Sequence, residues 1–271
     1  MVRYTLISLF FLIPSYSRAE SSAFIFANTY PCAGNAPELC QQELSAVKPK
    51  AWSDVEKSEL IAIINSLEKA LPGFMAKVES LAPIQMHRIT NGTQWNKTSN
   101  HFNPYPYFGD AQSSGMDLTD LSFINDAQIE SEYGSTILEH VFLHELAHIY
   151  DFASGNISVR SPFTELTHWM LAGSGDVGQT TYASGINMQG YDASAVDSVN
   201  SQMRDLIAQG KYFEAASVTH AYGVKFGYPS SYAMSAPVED FAESISWEYF
   251  DKNASSYLTN PVFSYIKLLL K

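Results

Sequence analysis

Apolar positions first recur at helical intervals in "SDVEKSELIAIINSLEKALPG", residues 53–73, where Val55, Ile61, Ile64 and Leu67 mark one face. Ser53 and Glu56 make a capping box at its start and Pro72-Gly73 a stop, so the pattern predicts an amphipathic helix. "PIQMHRIT", residues 83–90, predicts a strand, residues 91–115, rich in Asn, Pro and Tyr, a long loop, and "LSFIND", residues 121–126, a second strand. From about Ser135 to Phe152 apolar side chains cover most of the helical circumference with no Pro or Gly among them, which predicts a buried helix. Further helices are expected at 162–172, 193–208 and 211–225, the first two separated by a Gly-rich stretch, 173–190. The last two are "PVEDFAESISWEYF" (237–250) and "PVFSYIKLLL" (261–270), the latter with Asn260 as cap and Pro261 in its first turn. No internal repeat interrupts this order, and the sum is a mainly helical α+β domain with a small sheet.

Composition adds limits. With 46% hydrophobic residues in 271, the chain can bury a real core. "MVRYTLISLFFLIPSYSRAESS" carries Arg3, an apolar run from Leu6 to Ile13 and a small-x-small site at Ser17-Arg18-Ala19, the signature of a signal peptide over residues 1–19 cleaved after Ala19. The run is far short of the ~20 residues that span a bilayer, so the expectation is a secreted or periplasmic protein with no stable membrane insertion. Removing residues 1–19 takes the formal charge from −12 to −14, because Arg3 and Arg18 go and no acid does. An acidic surface of that kind excludes nucleic acid and anionic membranes as main partners. Cys32 and Cys40 are expected to pair as a disulfide within an N-terminal extension, residues 20–50, which leaves 51–271 as the main domain.

"HVFLHELAHIYDF", residues 140–152, puts imidazoles on the helix expected to be most buried. His144 and His148 stand one turn apart on a common face, where both can meet one ion at the ~2.0–2.1 Å that zinc requires. Glu145, next to His144, leans toward the open side of such an ion as a general base that deprotonates water and returns the proton to a leaving amine. This is H-E-x-x-H, the pattern of zinc peptidases. The metzincin continuation is absent, since Asp151 and Ser154 stand where its glycine and third histidine belong. A third ligand must come from elsewhere, and "SAPVEDFAES" offers Glu239 and Glu243 one turn apart, with Asp240 between them also a candidate. His140 continues the four-residue series toward a core or supporting role. Asp151 shares the face of His144 and His148, placed either to orient an imidazole or to end the helix in water. His87, His101, His168 and His220 have no partner that spacing supplies.

Taken together, "HELAHIYD" and "YAMSAPVEDFAESISWEYF" resemble the zinc-binding segments of the family that contains the anthrax lethal factor catalytic domain and the clostridial Pro-Pro endopeptidases. In that family a catalytic tyrosine precedes the ligand glutamate by seven residues, as Tyr232 precedes Glu239 here. The resemblance implies a gluzincin-type zincin fold, Zn2+ held by His144, His148 and Glu239, Glu145 as general base, Tyr232 as the hydroxyl that steadies an oxyanion, and Glu243 supporting the ligands. It covers two short blocks. The interval from His148 to Glu239 is about twice that expected in those relatives, so the middle of the chain and any cleavage preference lie outside it.

The expected activity is hydrolysis of peptide bonds in proteins or peptides by a monomeric endopeptidase, with the segment near "LSFIND" as an edge strand that pairs with substrate. The competing readings are a catalytically silent zincin scaffold that binds a partner, and a toxin-like protease with one narrow protein substrate.

Overall fold

The computed structural model describes residues 23–28, 48–90, 93–96, 101–106, 108–112, 115–171, 182–183 and 192–271. The expected signal peptide, Cys32, Cys40 and nearly all of the Gly-rich stretch lie outside the described residues.

Helix α1, Asp54–Ala70, starts where its capping box places it: Glu56 N donates to Ser53 Oγ at 3.2 Å and Ser53 N to Glu56 Oε2 at 2.9 Å. Its buried stripe is Leu60, Ile64 and Leu67, whereas Val55, expected on that stripe, is 67% exposed. Pro72 is a start as well as a stop, because a proline's fixed φ suits the first turn of a helix. It opens α2, Pro72–Glu79, which buries Phe74, Met75 and Val78.

The main sheet has strands β1, Phe24–Phe26, β2, Ile84–Arg88, β5, Gly109–Gln112, and β6, Gly115–Leu118, in the spatial order β1-β2-β6-β5. The first three in that order are parallel, and β5 closes the edge antiparallel to β6. The strand β1 belongs to the segment expected as an extension, yet it is built into the sheet through its register with Ile84 to Met86. Met86 pairs with Met116 and His87 with Asp117, and alternation sends the methionines into the core beside Phe142, Leu143 and Ala147.

The long loop expected over 91–115 is replaced by strands. Besides β5, β3, Thr93–Asn96, and β4, His101–Pro106, form an antiparallel ribbon with Trp95 opposite Phe102. Asn and Pro suggested a loop there, but a two-stranded ribbon has free edges, and a proline that lacks an N–H is tolerated on an edge. "LSFIND" is not a strand either. Thr119 accepts from Leu121 N at 3.1 Å and starts a 3-10 turn over Asp120–Phe123, a local side-chain bond that overrides a β-like pattern. The edge strand expected of that segment is therefore not formed, and the sheet has β5 at that edge instead.

The remaining helices are α3, Ala127–Tyr133, α4, Ile137–Ala153, α5, Phe163–Leu166, α6, Ala193–Ala208, α7, Tyr212–Val224, α8, Pro237–Phe250, and α9, Asn260–Leu269. Of the helix expected over 162–172 only one turn forms. Beyond it His168 takes a positive φ of 61°, and the chain leaves as β7, Met170–Leu171, paired with β8, Tyr182–Ala183. The cap of α9 is Thr259 rather than Asn260. Helix α4 carries a second capping box, Thr136 with Glu139, and packs more extensively on α8 than any other two elements pack. The architecture is thus α+β, mainly helical, with a small mixed sheet whose β5 lies against α4. No helix among the described residues is long and apolar enough to cross a membrane.

One close approach fixes the turn that follows α7. A Cβ on Gly223 would sit 2.4–2.6 Å from the backbone of Ser230. Gly223→Ala should lower stability by about 1–3 kcal/mol, read in urea titrations as a lower midpoint with an unchanged m-value, the cost of forcing a packed backbone apart.

Candidate metal centre

Helix α4 presents His140, His144 and His148 at intervals of four, and α8 presents Glu239, Glu243 and Trp247 at the same interval. Residues one turn apart share a face, and these two faces meet. His148 lies beside Glu239, His144 beside both glutamates, and His140 beside Glu243 and Trp247, so the helices run antiparallel with matched turns.

The inner atoms converge. His144 Nε2 and His148 Nε2 are 3.1 Å apart, and Glu239 Oε2 is 3.3 Å from the first and 3.4 Å from the second. That oxygen is buried and meets no hydrogen-bond donor among the described residues. Three groups that coordinate through lone pairs, held within 4.8 Å of one another, could hold a metal ion. The structure also separates the three acidic candidates: Glu239 joins the cluster, Glu243 stands behind His144, and Asp240 turns away to accept from Trp169 Nε1 at 2.9 Å.

Glu243 is held from three sides. Its Oε1 lies 3.0 Å from His144 Nδ1, while Ser230 Oγ and Trp247 Nε1 donate to its Oε2 at 2.6 and 3.0 Å. A carboxylate on Nδ1 sets the imidazole tautomer that leaves Nε2 free to coordinate. Ser230 also accepts from Ala233 N at 3.0 Å, so one hydroxyl ties Glu243 to the 3-10 turn that begins at Tyr232. Tyr232 is 38% exposed at the mouth of the site, its ring centroid 6.1 Å from that of His144. Asp151 does not orient an imidazole by hydrogen bond. Both its oxygens accept from Ser158, from N at 2.8 Å and from Oγ at 2.6 Å, which closes the loop after α4.

Glu145 is 4% exposed, and its Oε2 also meets no hydrogen-bond partner among the described residues. Its carboxylate presses on β5 so closely that a Cβ on Gly109 would lie 2.7 Å from Oε1. Sequence patterns gave no signal for Gly109 or Ser230, because each acts through a contact outside its own element, and Trp247, though one turn from Glu243, was not singled out.

Burial dominates the electrostatics, and pairing decides its outcome. Burial pushes Glu145 up to about 7, despite the opposing pull of His144 and His148. It pushes Glu239 and Glu243 up too, but the imidazoles beside them more than reverse this and leave both below the ordinary carboxylate range. Burial pulls His144 and His148 down, and the same glutamates raise them above an ordinary imidazole, His144 by much the more. Desolvation and the charges of Glu239, Glu145 and Glu243 hold the Tyr232 phenol well above its usual value.

Two outcomes follow. A metal must displace the protons that these raised imidazoles carry, so zinc titrated near pH 7 should release protons and bind more weakly as pH falls. Calorimetry in buffers of different ionisation enthalpy measures this, and Glu243→Gln should weaken affinity by about 10–100-fold. Burial also raises Asp240 from 3.8 to about 7, so the folded state binds its proton more tightly than the unfolded chain does. That stabilisation is complete below the unfolded pKa and is lost as pH rises through about 7. Between pH 4 and 7 the stability difference between native chain and Asp240→Asn, both metal-free, should therefore move in the variant's favour by on the order of 3 kcal/mol in denaturant titrations.

Compared with known proteins, the chain matches no protein-family model, no curated protein and no solved structure.

Proposed function

We propose that this chain is an exported zinc-dependent endopeptidase of the gluzincin type, related to the lethal factor and Pro-Pro endopeptidase family. The observation that carries the reading is a buried carboxylate, Glu145, whose Oε2 has no hydrogen-bond partner among the described residues, set beside a cluster of two imidazoles and a glutamate. Separations of 3.1, 3.3 and 3.4 Å match the edge of a tetrahedron with bonds of ~2.0–2.1 Å, which is about 3.4 Å, and two histidines with one glutamate are a donor set that suits zinc. Held by His144, His148 and Glu239, zinc supplies Lewis acidity, which acidifies water and polarises a carbonyl.

The chain's own groups supply the rest. Buried beside the cluster, the Glu145 carboxylate can take a proton from water as it adds to the scissile carbonyl and return it to the amide nitrogen as the C–N bond breaks. The products are a carboxylate and an amine. Tyr232, kept protonated by the carboxylates around it, donates its hydroxyl to the carbonyl oxygen as that oxygen gains charge. Strand β5 is a sheet edge beside Glu145, so an extended substrate can add to it through backbone hydrogen bonds. The absence of a side chain at Gly109 lets that edge and the base approach each other.

The test is metal content paired with digestion of an unfolded protein by the mature chain and by Glu145→Ala. The expected result is one zinc per chain in both and cleavage by the native chain alone. Zinc in both with cleavage by neither would support a silent scaffold, and failure to bind metal would overturn the site. Gly109→Ala should keep metal and fold and lose about 10²-fold in kcat/KM, since its methyl displaces the base.

A further inference from the structure

Tyr232 stands at the end of a stretch of irregular backbone, residues 228–231, and the 3-10 turn that it opens has no side-chain cap. Buried backbone outside helix and sheet must find other partners for its N–H and C=O groups. Here α6 and α7 supply them. Ser231, the residue before the tyrosine, is fully buried. Its N–H donates to Thr219 O at 2.9 Å, its hydroxyl donates to Asn200 Oδ1 at 2.7 Å, and its carbonyl accepts from Asn200 Nδ2 at 3.4 Å. Two residues earlier, Pro229 O accepts from His220 Nδ1 at 2.7 Å.

Asn200 lies inside α6 and is 5% exposed. Asparagine is a poor helix former, and its amide is costly to bury unless it is hydrogen-bonded. Both ends of this amide are bonded, and both to Ser231. One turn before it on the same face, Val196 packs in a cluster with Ala233 and Met234, so α6 is seated against the turn itself. A peptide group is planar, so the Ser231 carbonyl shares a plane with the nitrogen and Cα of Tyr232. An amide that grips this carbonyl and the hydroxyl beside it therefore sets the direction in which the chain enters Tyr232. The loop is thus held by α8 through Ser230 and Glu243, and by α6 through Asn200.

We propose that Asn200 is a positioning residue for the Tyr232 hydroxyl, through which α6, in the chain interval between the two ligand-bearing helices, acts on the site. The proposal rests on the peptidase reading, and its test separates the two. The zinc-loaded mature chain, Asn200→Ala, Tyr232→Phe and the double variant are compared on a peptide spanning a cut site mapped in the unfolded-protein digest. Asn200→Ala should lower kcat by at least about 10-fold with KM changed by less than about 2-fold, because the displaced hydroxyl serves the transition state alone. In the Tyr232→Phe background, where that hydroxyl is already gone, the same change should lower kcat by less than about 2-fold. Two readings need no activity. Calorimetry should find the zinc affinity of Asn200→Ala unchanged, and hydrogen exchange should quicken at the Ser231 and Ala233 amides but not along α4. Should Asn200→Ala not fold, Ser231→Ala removes the 2.7 Å bond from its other end and takes its place in the cycle. An equal loss of kcat in both backgrounds, an unchanged kcat, or a weakened zinc affinity would overturn the positioning role and leave the peptidase reading standing. Zinc binding without cleavage of any substrate would overturn both.

Discussion

The antiparallel contact of α4 with α8 is the constraint on which the rest of the molecule depends. It removes two imidazoles and two carboxylates from water, and each alone would cost several kcal/mol in a dry seam. They are tolerated because opposite charge faces opposite charge: Glu243 is hydrogen-bonded by His144, Ser230 and Trp247, and Glu239 lies 3.3 and 3.4 Å from the two imidazoles. A network of this kind strengthens when complete and is costly when broken. Supporting parts of the fold act on the seam. The sheet backs α4 through Met86 and Met116, and α7 fixes the turn that brings Ser230 to Glu243.

That seam was legible in the sequence because it is written in local intervals. Four-residue spacing on "HVFLHELAH" and on "EDFAESISW" put the relevant side chains on single faces, and the capping boxes at Ser53 and Thr136 fixed where helices begin. Spacing alone left Glu239, Glu243 and Asp240 open, and before the structure only the resemblance pointed to Glu239. All three sit within one turn of α8, and only the opposing helix shows which points at the two imidazoles.

Other features depended on partners far away in the chain. Gly109 matters only because α4 brings Glu145 against it, and β5 is an edge only because β6 pairs with its other side. "LSFIND" has the composition of a strand, but the Thr119 hydroxyl gives the chain a nearer bond, and a turn forms instead. Asp151 shared the face of the histidines, yet the loop it closes supplied better donors through Ser158. In each case a three-dimensional neighbour outweighed a one-dimensional pattern.

Because both helices repeat their polar residues every four positions, the seam has a built-in ambiguity of register. Sliding α8 by one turn toward the C-terminal end of α4 would bring Glu243 opposite His148 and an indole opposite His144. The indole is what forbids this. Trp247 stacks on His220 at 4.3 Å, meets His140 edge-on and donates to Glu243, so it acts as a detent that engages in one notch only. A residue that touches none of the cluster's three ligands thereby sets which pair of teeth the two helices mesh on.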